Sequence, residues 1–266
     1  MGHTASSTSS LPAELFDVTG RLALITGSTR GLGRSFAEVL AGAGARVIIH
    51  GRDASTVERA RREVEDRTGG TTLGAHFDVT DVEAVRAALE QIIEENGAPD
   101  ILVNNAGLQR RAPLQEFAPQ DWDEIVDVNL NSVFYVTRHL VPAMIRRGSG
   151  KIVNIGSVQS ALARETIAPY SATKGAVAQL TKGMAADLAR YDIQVNTISP
   201  GYFATDMNRA LVEDDAFSSW LTARTPAQRW GALEELAGAL LFFSSRASRF
   251  VSGQNLFVDG GMTAVV

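Results

Sequence analysis

Arg21-Leu22-Ala23-Leu24-Ile25-Thr26-Gly27-Ser28-Thr29-Arg30-Gly31-Leu32-Gly33 is a short apolar run that ends in closely spaced glycines. The run reads as a buried strand. The stretch from Gly31 to Ala43, stopped by Gly44, reads as the helix that follows it. The glycines are spaced G-x-x-x-G-x-G. Glycine lets the chain turn sharply and brings backbone N–H groups close to an anion at a helix N-terminus. The first strand-to-helix turn of a βαβ unit is where an α/β sheet receives a dinucleotide pyrophosphate. The same glycines in another place would make an ordinary loop.

The alternation continues to the end of the chain. Further strands are expected at Ala45–His50, Thr72–Phe77, Asp100–Val103, Lys151–Ile155, Ile193–Ile198 and Asn255–Val258. Asp53 and Asp81 are placed to cap the helices that run to about Thr68 and Asn96. Long helices are expected over Trp122–Arg147, with a bend before Pro142, and from Tyr170 to about Tyr191; Leu233–Ser244 is a shorter one. The strands are continuous in Val, Ile and Leu rather than alternating, the mark of a parallel sheet covered on both faces. The pattern predicts an α/β fold: a single doubly wound, Rossmann-type domain with about seven strands. No repeat or linker divides it. Residues 15–266 are assigned to this domain, and the polar Ser/Thr-rich residues 1–14 to a disordered tail.

Composition narrows the function. The 266 residues carry a net charge of −5, with Lys and Arg scattered, which argues against a nucleic-acid partner. With no cysteine there is no disulfide, thiolate zinc site or thiol nucleophile, and the four histidines show no metal-ligand spacing. No apolar run approaches the roughly 20 residues of a membrane span. A cytoplasmic protein acting on a small molecule is expected.

Tyr170 and Lys174 stand four apart on a predicted helix, thirteen residues after Ser157. That spacing puts phenol and ammonium on one helical face. A tyrosine titrating near 10 is a poor catalyst at neutral pH, and a fixed cation beside it favours the phenolate. Such a pair can pass a proton to or from an alcohol or carbonyl. A lone Tyr-x-x-x-Lys is far more often plain helix surface, and a serine after a strand is usually a helix cap.

The ordered set of motifs decides between these readings. Thr26-Gly27-x-x-x-Gly31-x-Gly33, Asp78-Val79, Asn104-Asn105-Ala106-Gly107, Asn129, Ser157, Tyr170-x-x-x-Lys174, Pro200-Gly201 and Thr205 follow one another so that the chain resembles the short-chain dehydrogenase/reductase family from about Leu15 to Val266. The resemblance implies a nicotinamide-dependent oxidoreductase. It implies that Ser157 donates to a substrate carbonyl and that Tyr170 is the acid/base. Lys174 would lower the tyrosine pKa and hold the nicotinamide ribose, and Asn129 would order a water leading from Lys174 to solvent. The cofactor would meet Gly27, Ser28, Thr29, Arg30, Gly31, Leu32, Gly33, Asp78, Val79, Asn105, Ala106, Gly107, Tyr170, Lys174, Pro200, Gly201, Phe203 and Thr205. A buried asparagine ladder is an equally good reading of Asn104-Asn105.

By register with the family, Gly51 takes the position of the acidic residue that selects NAD, and Arg52 the next. Arg30 approaches from the glycine loop. Two guanidiniums and no carboxylate suit a 2′-phosphate, so NADP(H) is expected over NAD(H). Asp53 is the competing possibility if it turns from its cap toward the ribose.

The segments after the fourth, fifth and sixth strands are polar and contain arginines, unlike a pocket for an acyl chain. They are similar to those of gluconate 5-dehydrogenases: Asn104-Asn-Ala-Gly-Leu-Gln-Arg-Arg111, Ser157-Val-Gln-Ser160, Ile167-Ala-Pro-Tyr170 and Pro200-Gly-Tyr-Phe203. A sugar acid such as gluconate or 5-ketogluconate is the implied substrate, met by Arg111 (with Arg110 second), Ser157, Gln159, Tyr170 and Tyr202. The alternatives are a 2-keto-3-deoxygluconate oxidoreductase, a 3-oxoacyl-thioester reductase and, in another class, a non-catalytic NADPH-sensing module. The similarity departs at Ala227-Gln228-Arg229, where glycine is frequent before the arginine; little effect is expected. A homotetramer, or a homodimer, is implied by the two long helices. Val177, Leu180, Met184 and Leu188 repeat along the second of them, a stripe that plain core packing explains equally well.

Overall fold

The computed structural model describes residues 11–205 and 208–266. Most of the expected tail, residues 1–10, lies outside them, as do positions 206 and 207 of the segment after the sixth strand. The tail as assigned is too long. Leu11–Phe16 is a short helix, α1, and Phe16 packs on Phe242 with ring centroids 6.5 Å apart.

Seven parallel strands form one sheet: β1 Leu22–Ile25, β2 Arg46–Gly51, β3 Thr72–His76, β4 Ile101–Asn104, β5 Gly150–Ile155, β6 Ile193–Pro200 and β7 Asn255–Val258. Their order is β3-β2-β1-β4-β5-β6-β7. The chain winds outward from β1 in one direction, then returns to β4 and winds in the other. The crevice between the carboxyl ends of β1 and β4 is therefore the topological switch point, where doubly wound sheets bind ligands. β1, β4, β5 and β6 are buried along their whole length, as their unbroken apolar sequences predict.

Helices α2 Gly31–Gly42, α3 Ala54–Thr68, α4 Val82–Asn96, α5 Pro119–Val126, α6 Ser132–Arg147 and α7 Ala168–Leu188 cover the sheet. Two cores result. Phe36, Leu40, Ile25, Ile49 and Val103 pack on one face, and Leu24, Ile48, Leu89, Leu140 and Met144 on the other. Burying each such side chain contributes about 1.5–3 kcal/mol. Asp53 and Asp81 cap α3 and α4 as expected.

The long helix expected over Trp122–Arg147 is broken, though not at Pro142, which lies inside α6. The interruption is a π-helical turn at Asp127–Asn131, between α5 and α6. Such turns add one residue to the helical repeat and redirect a side chain, here Asn129. The segment expected to be a polar insertion holds two more helices, α8 Arg209–Val212 and α9 Asp215–Arg224, before α10 Ala237–Ser244.

A polar ladder crosses this apolar interior. Asn104, Asn154 and Thr197 are in register on β4, β5 and β6. Asn104 Nδ2 donates to Asn154 Oδ1 at 2.8 Å, Asn154 Nδ2 to Thr181 Oγ1 at 2.8 Å, and Thr181 and Thr197 share a hydroxyl hydrogen bond at 2.7 Å. Thr181 lies on α7, so the ladder fixes the helix carrying Tyr170 and Lys174 to the sheet. Lost hydrogen bonds between buried groups cost about 1–3 kcal/mol each, which makes this register costly to slip. For Asn104 the ladder reading holds.

Candidate active site

The glycine turn closes against the end of β4. Gly27 and Gly31 have φ values of 64° and 56°, which side chains rarely adopt. A Cβ on Gly33 would collide with the Gly27 carbonyl and the Asn105 amide. Asn105 Nδ2 donates to the carbonyls of Thr26 and Gly27, both at 3.0 Å, and Thr26 Oγ1 accepts from the N–H groups of Asn105 and Ala106. Asn105 is thus the clamp of the glycine loop. Ser28 is fully buried: its hydroxyl donates to Ile25 O and accepts from His50 N. Among the loop residues, Arg30 reaches solvent while Thr29, Gly31 and Leu32 are half-buried.

His50, at the end of β2, is a residue that sequence reasoning missed. Gly27 N–H donates to its Nδ1 at 3.0 Å, and its Nε2 lies 3.1 Å from Phe77 O. The first contact requires a bare Nδ1, so the proton sits on Nε2 and the ring is neutral. Burial holds its pKa down to about 4 against the Phe77 contact. A polar residue in an otherwise buried strand end was the available signal.

The end of β2 lies against the glycine loop. A Cβ on Gly51 would lie 2.7 Å from Thr29 Cγ2, so a larger residue there would have to displace the Thr29 side chain. Arg30 and Arg52 are exposed and make no ion pair among the described residues. Asp53 is committed to its cap, accepting from Ser55 Oγ, Thr56 N and Thr56 Oγ1, and these bonds hold it at about 2. It does not face a ribose. Asp78 is bound by Thr80, whose hydrogen bonds outweigh burial and keep its carboxyl low; Arg52 lies close enough to add to this. Val79 is buried beside Phe77.

Tyr170 and Lys174 rise from the first turns of α7. Lys174 is 5 % exposed, and its Nζ donates to Ile155 O at 2.8 Å and lies 5.6 Å from the centre of the Tyr170 ring. Burial lowers the ammonium to about 8. Burial raises the Tyr170 pKa; the Ser157 hydroxyl opposes it without winning, and Tyr202 adds to the rise. The phenol keeps a partly open face toward the cleft. Ser157 is 8 % exposed, and its Oγ also accepts from Gln159 N, so it is both helix cap and cleft residue. Asn129 accepts from Leu108 N at 2.8 Å and donates to Leu108 O at 2.9 Å and Thr173 Oγ1 at 3.3 Å. It locks the strand-end loop. A Cβ on Gly107 would sit 3.3 Å from Asn129 Oδ1 and 3.9 Å from Lys174 Nζ, so these two groups flank the same bare backbone.

Beyond Tyr170 the cleft is lined from three loops. Gln159 Nε2 donates to Tyr202 Oη at 3.4 Å. Arg111 donates to Gln109 Oε1 and is partly desolvated, which together with Arg164 nearby lowers its pKa. Arg110 is engaged elsewhere, with Glu124 at 2.8 Å and Asp121 at 3.7 Å. Arg164, which the sequence reading passed over, lies over the Phe217 ring at 5.5 Å. Pro200 ends β6, and Gly201 lets Asp259 cross at close range. Phe203 points into the core and packs on Gly231, so only its backbone faces the cleft, followed by the half-buried Thr205.

The family profile described as Enoyl-(Acyl carrier protein) reductase matches residues 27–263. The chain is 53 % identical over 250 residues to the gluconate 5-dehydrogenase of Gluconobacter oxydans (strain 621H), covering 94 % of this chain and 97 % of that one.

The chain belongs to the short-chain dehydrogenase/reductase family.

It is 49 % identical over 255 residues to the 5-keto-D-gluconate 5-reductase of Escherichia coli (strain K12), covering 95 % of this chain and 99 % of that one. The crystal structure of a gluconate 5-dehydrogenase from Burkholderia cenocepacia J2315, in complex with NADP and tartrate, superposes with a TM-score of 0.93 at 55 % identity, over 96 % of this chain and all of that one. As a short-chain dehydrogenase/reductase it is an oxidoreductase acting on CH–OH groups. No helix among the described residues is long and apolar enough to cross a membrane.

Proposed function

We propose that the protein is a cytoplasmic NADP(H)-dependent gluconate 5-dehydrogenase, interconverting a sugar acid and its 5-keto form. The observation that carries this reading is the cleft: Ser157 and Tyr170 at one end, and the guanidinium of Arg111, with no carboxylate partner among the described residues, at the other. The likeness to the gluconate 5-dehydrogenases covers nearly the whole chain. A 3-oxoacyl thioester gains nothing from Arg111, and a pure sensor has no use for Ser157, Tyr170 and Lys174 together.

The residues present fit the nicotinamide dinucleotide. The glycine turn leaves bare N–H groups at the α2 N-terminus, Asp78 and Val79 border the adenine position, and Arg30 and Arg52 offer bidentate donors to a 2′-phosphate. Gly51, packed against Thr29, brings no carboxylate to the position an NAD site would use. When bound, the cofactor supplies or accepts the hydride. The chain does the rest. In reduction Ser157 Oγ donates to the substrate carbonyl, and Tyr170 Oη delivers the proton as the oxygen becomes an alcohol. In oxidation Tyr170 takes that proton. Lys174, held by Ile155 O, keeps a positive charge at the base of the site and meets the nicotinamide ribose. Asn129 holds the Leu108 loop and orders the water through which Lys174 exchanges protons. Pro200, Gly201, Thr205 and the Phe203 backbone border the carboxamide.

The catalytic unit starts at Leu11 rather than residue 15. It assembles as a homotetramer through α6 and α7; Phe134, on α6, is 47 % exposed with only its edge contact to Tyr135 recorded among the rings of the described residues, leaving apolar surface on that helix for a second copy. Monomeric sedimentation would refute the assembly. For the function, NADPH consumption is followed with 5-keto-D-gluconate, other keto sugar acids and acetoacetyl thioesters. Turnover on 5-ketogluconate is expected to dominate; preference for the thioester, or none for any carbonyl, would overturn the reading.

A further inference from the structure

The loops after β4 and β5 meet beyond the catalytic pair. Ala112 N donates to Thr166 O at 3.1 Å, joining the segment that carries Arg111 to the one that carries Arg164. Thr166 adopts φ 69°, a left-handed conformation that is costly for a β-branched residue. Strain of this kind survives where the surrounding structure imposes it and is concentrated at ligand sites. Here it turns the chain so that the two arginines converge.

Arg164 is half-buried and has no carboxylate partner among the described residues. Its guanidinium lies over Phe217, whose ring packs on Tyr202 at 5.7 Å. Its Nε is shut off from solvent with no hydrogen-bond partner. Gln159 is 8 % exposed, and its Oε1 is likewise buried and unpartnered, while its Nε2 reaches Tyr202 Oη. Tyr202 is thus the hub. Arg111 and Arg164 both act on it and on each other, and no carboxylate of the described residues enters the group. Two like charges beside buried, unsatisfied polar atoms are unfavourable together. One ligand would correct all of these at once: an anion with planar oxygens for the guanidiniums and hydroxyls for the amide oxygen.

We propose that Arg164 is the principal anion-binding residue of the substrate cleft. Its Nε and one Nη form a side-on fork to the substrate carboxylate, Arg111 closes from the facing loop, and Gln159 Oε1 accepts from a substrate hydroxyl. The site takes a polyhydroxy carboxylate. The proposal rests on the sugar-acid reading above and names the residue that selects the acid over its neutral counterpart.

The test uses the full chain with Arg164→Leu and Arg164→Lys. Calorimetry of tartrate binding to the NADP-loaded protein reads the anion site without turnover, and kinetics compare 5-keto-D-gluconate with the neutral ketose D-fructose. Arg164→Leu is expected to weaken tartrate at least tenfold and to lower the acid-to-neutral ratio of kcat/KM by a similar factor. Arg164→Lys should recover only part, because an ammonium keeps the charge and loses the fork. Methylguanidinium should restore some tartrate affinity to Arg164→Ala. Tartrate bound as tightly by the Leu variant, or both substrates losing equally alongside a fall in Tm, would overturn the proposal and leave Arg164 as packing for Phe217. The two readings fail separately. If the wild-type protein reduces no keto sugar acid yet tartrate still requires Arg164, the anion site stands and the substrate reading falls. If 5-ketogluconate is reduced and tartrate ignores Arg164, the reverse holds.

Discussion

Lys174 Nζ sits 5.6 Å from the centre of the Tyr170 ring and spends its 2.8 Å hydrogen bond on Ile155 O, not on the phenol. The ammonium is a fixed charge below the ring, held by the end of β5. Without cofactor, burial dominates the phenol and raises its pKa. Ultraviolet difference titration of the apoprotein against Tyr170→Phe should therefore place this tyrosine above the ordinary value of about 10. Titration near 7 would show that Lys174 prevails even before the cofactor binds. The same variant should lose nearly all turnover, by a factor of at least about 10³ for a lost acid/base group, and still bind NADPH.

Lys174 also costs stability. Its folded pKa of about 8 lies below the ordinary 10.5, so the unfolded chain binds the proton more tightly. The cost is full below pH 8 and gone above pH 10.5. From the shift it is about 3 kcal/mol, offset by about 1–3 kcal/mol for the Ile155 carbonyl that its removal would leave unpaired. Lys174→Met should be inactive yet no less stable than the wild type at pH 7. Its advantage, read by urea denaturation, should shrink as pH rises from 8 to 10.5. A growing gap would contradict the assignment.

His50 joins the glycine loop to the end of β3 through Gly27 N–H and Phe77 O. His50→Leu strands both groups, and NADPH affinity should fall about tenfold, near 1.4 kcal/mol, with kcat at saturation less affected. His50→Asn, which keeps one donor and one acceptor, should recover part of it. The buried ring is neutral, with its pKa lowered from 6.5 to about 4. Its contribution to stability is full above pH 6.5 and is lost as pH falls toward 4, so the wild-type protein should lose more over that interval than His50→Asn.

Arg30 and Arg52 are the residues proposed to meet the 2′-phosphate. Replacing either with Ala should raise KM for NADPH about tenfold, the scale of one charge-assisted hydrogen bond, and leave KM for NADH nearly unchanged. A parallel loss with both cofactors would mean that these arginines meet something other than a 2′-phosphate.

Gln228 has φ 55°. The expectation that glycine's absence here matters little is incomplete, because an L residue in this conformation costs roughly 1–2 kcal/mol. Gln228→Gly should raise stability by about 1 kcal/mol in thermal or urea unfolding. A loss would show that the Gln228 side chain compensates.

The doubly wound sheet was legible because its signal is local. Buried strands are continuous in apolar residues, helices begin at Asp53 and Asp81, and glycines close the first turn. The Ser157–Tyr170–Lys174 group was legible because helical spacing alone puts the last two on one face. Asn129 was named, but the π-turn that aims it at Leu108 has no spacing signature and replaced the bend expected at Pro142. His50 and Arg164 were missed for a shared reason. Their significance lies in which atoms they face across 23 to 53 residues of chain, and no periodicity encodes that.

The sequence by itself determined the apolar strands and glycine turns of the sheet and the placing of Tyr170 and Lys174 on one helical face, since each follows from residue type and spacing. Only the tertiary structure decided that Asp53 stays on its cap, that Arg110 pairs with Glu124 while Arg111 has no carboxylate partner among the described residues, and that the Tyr170 phenol is buried enough for desolvation to raise its pKa. Those outcomes depend on desolvation and on partners brought in from distant loops, quantities that exist only once the chain has closed.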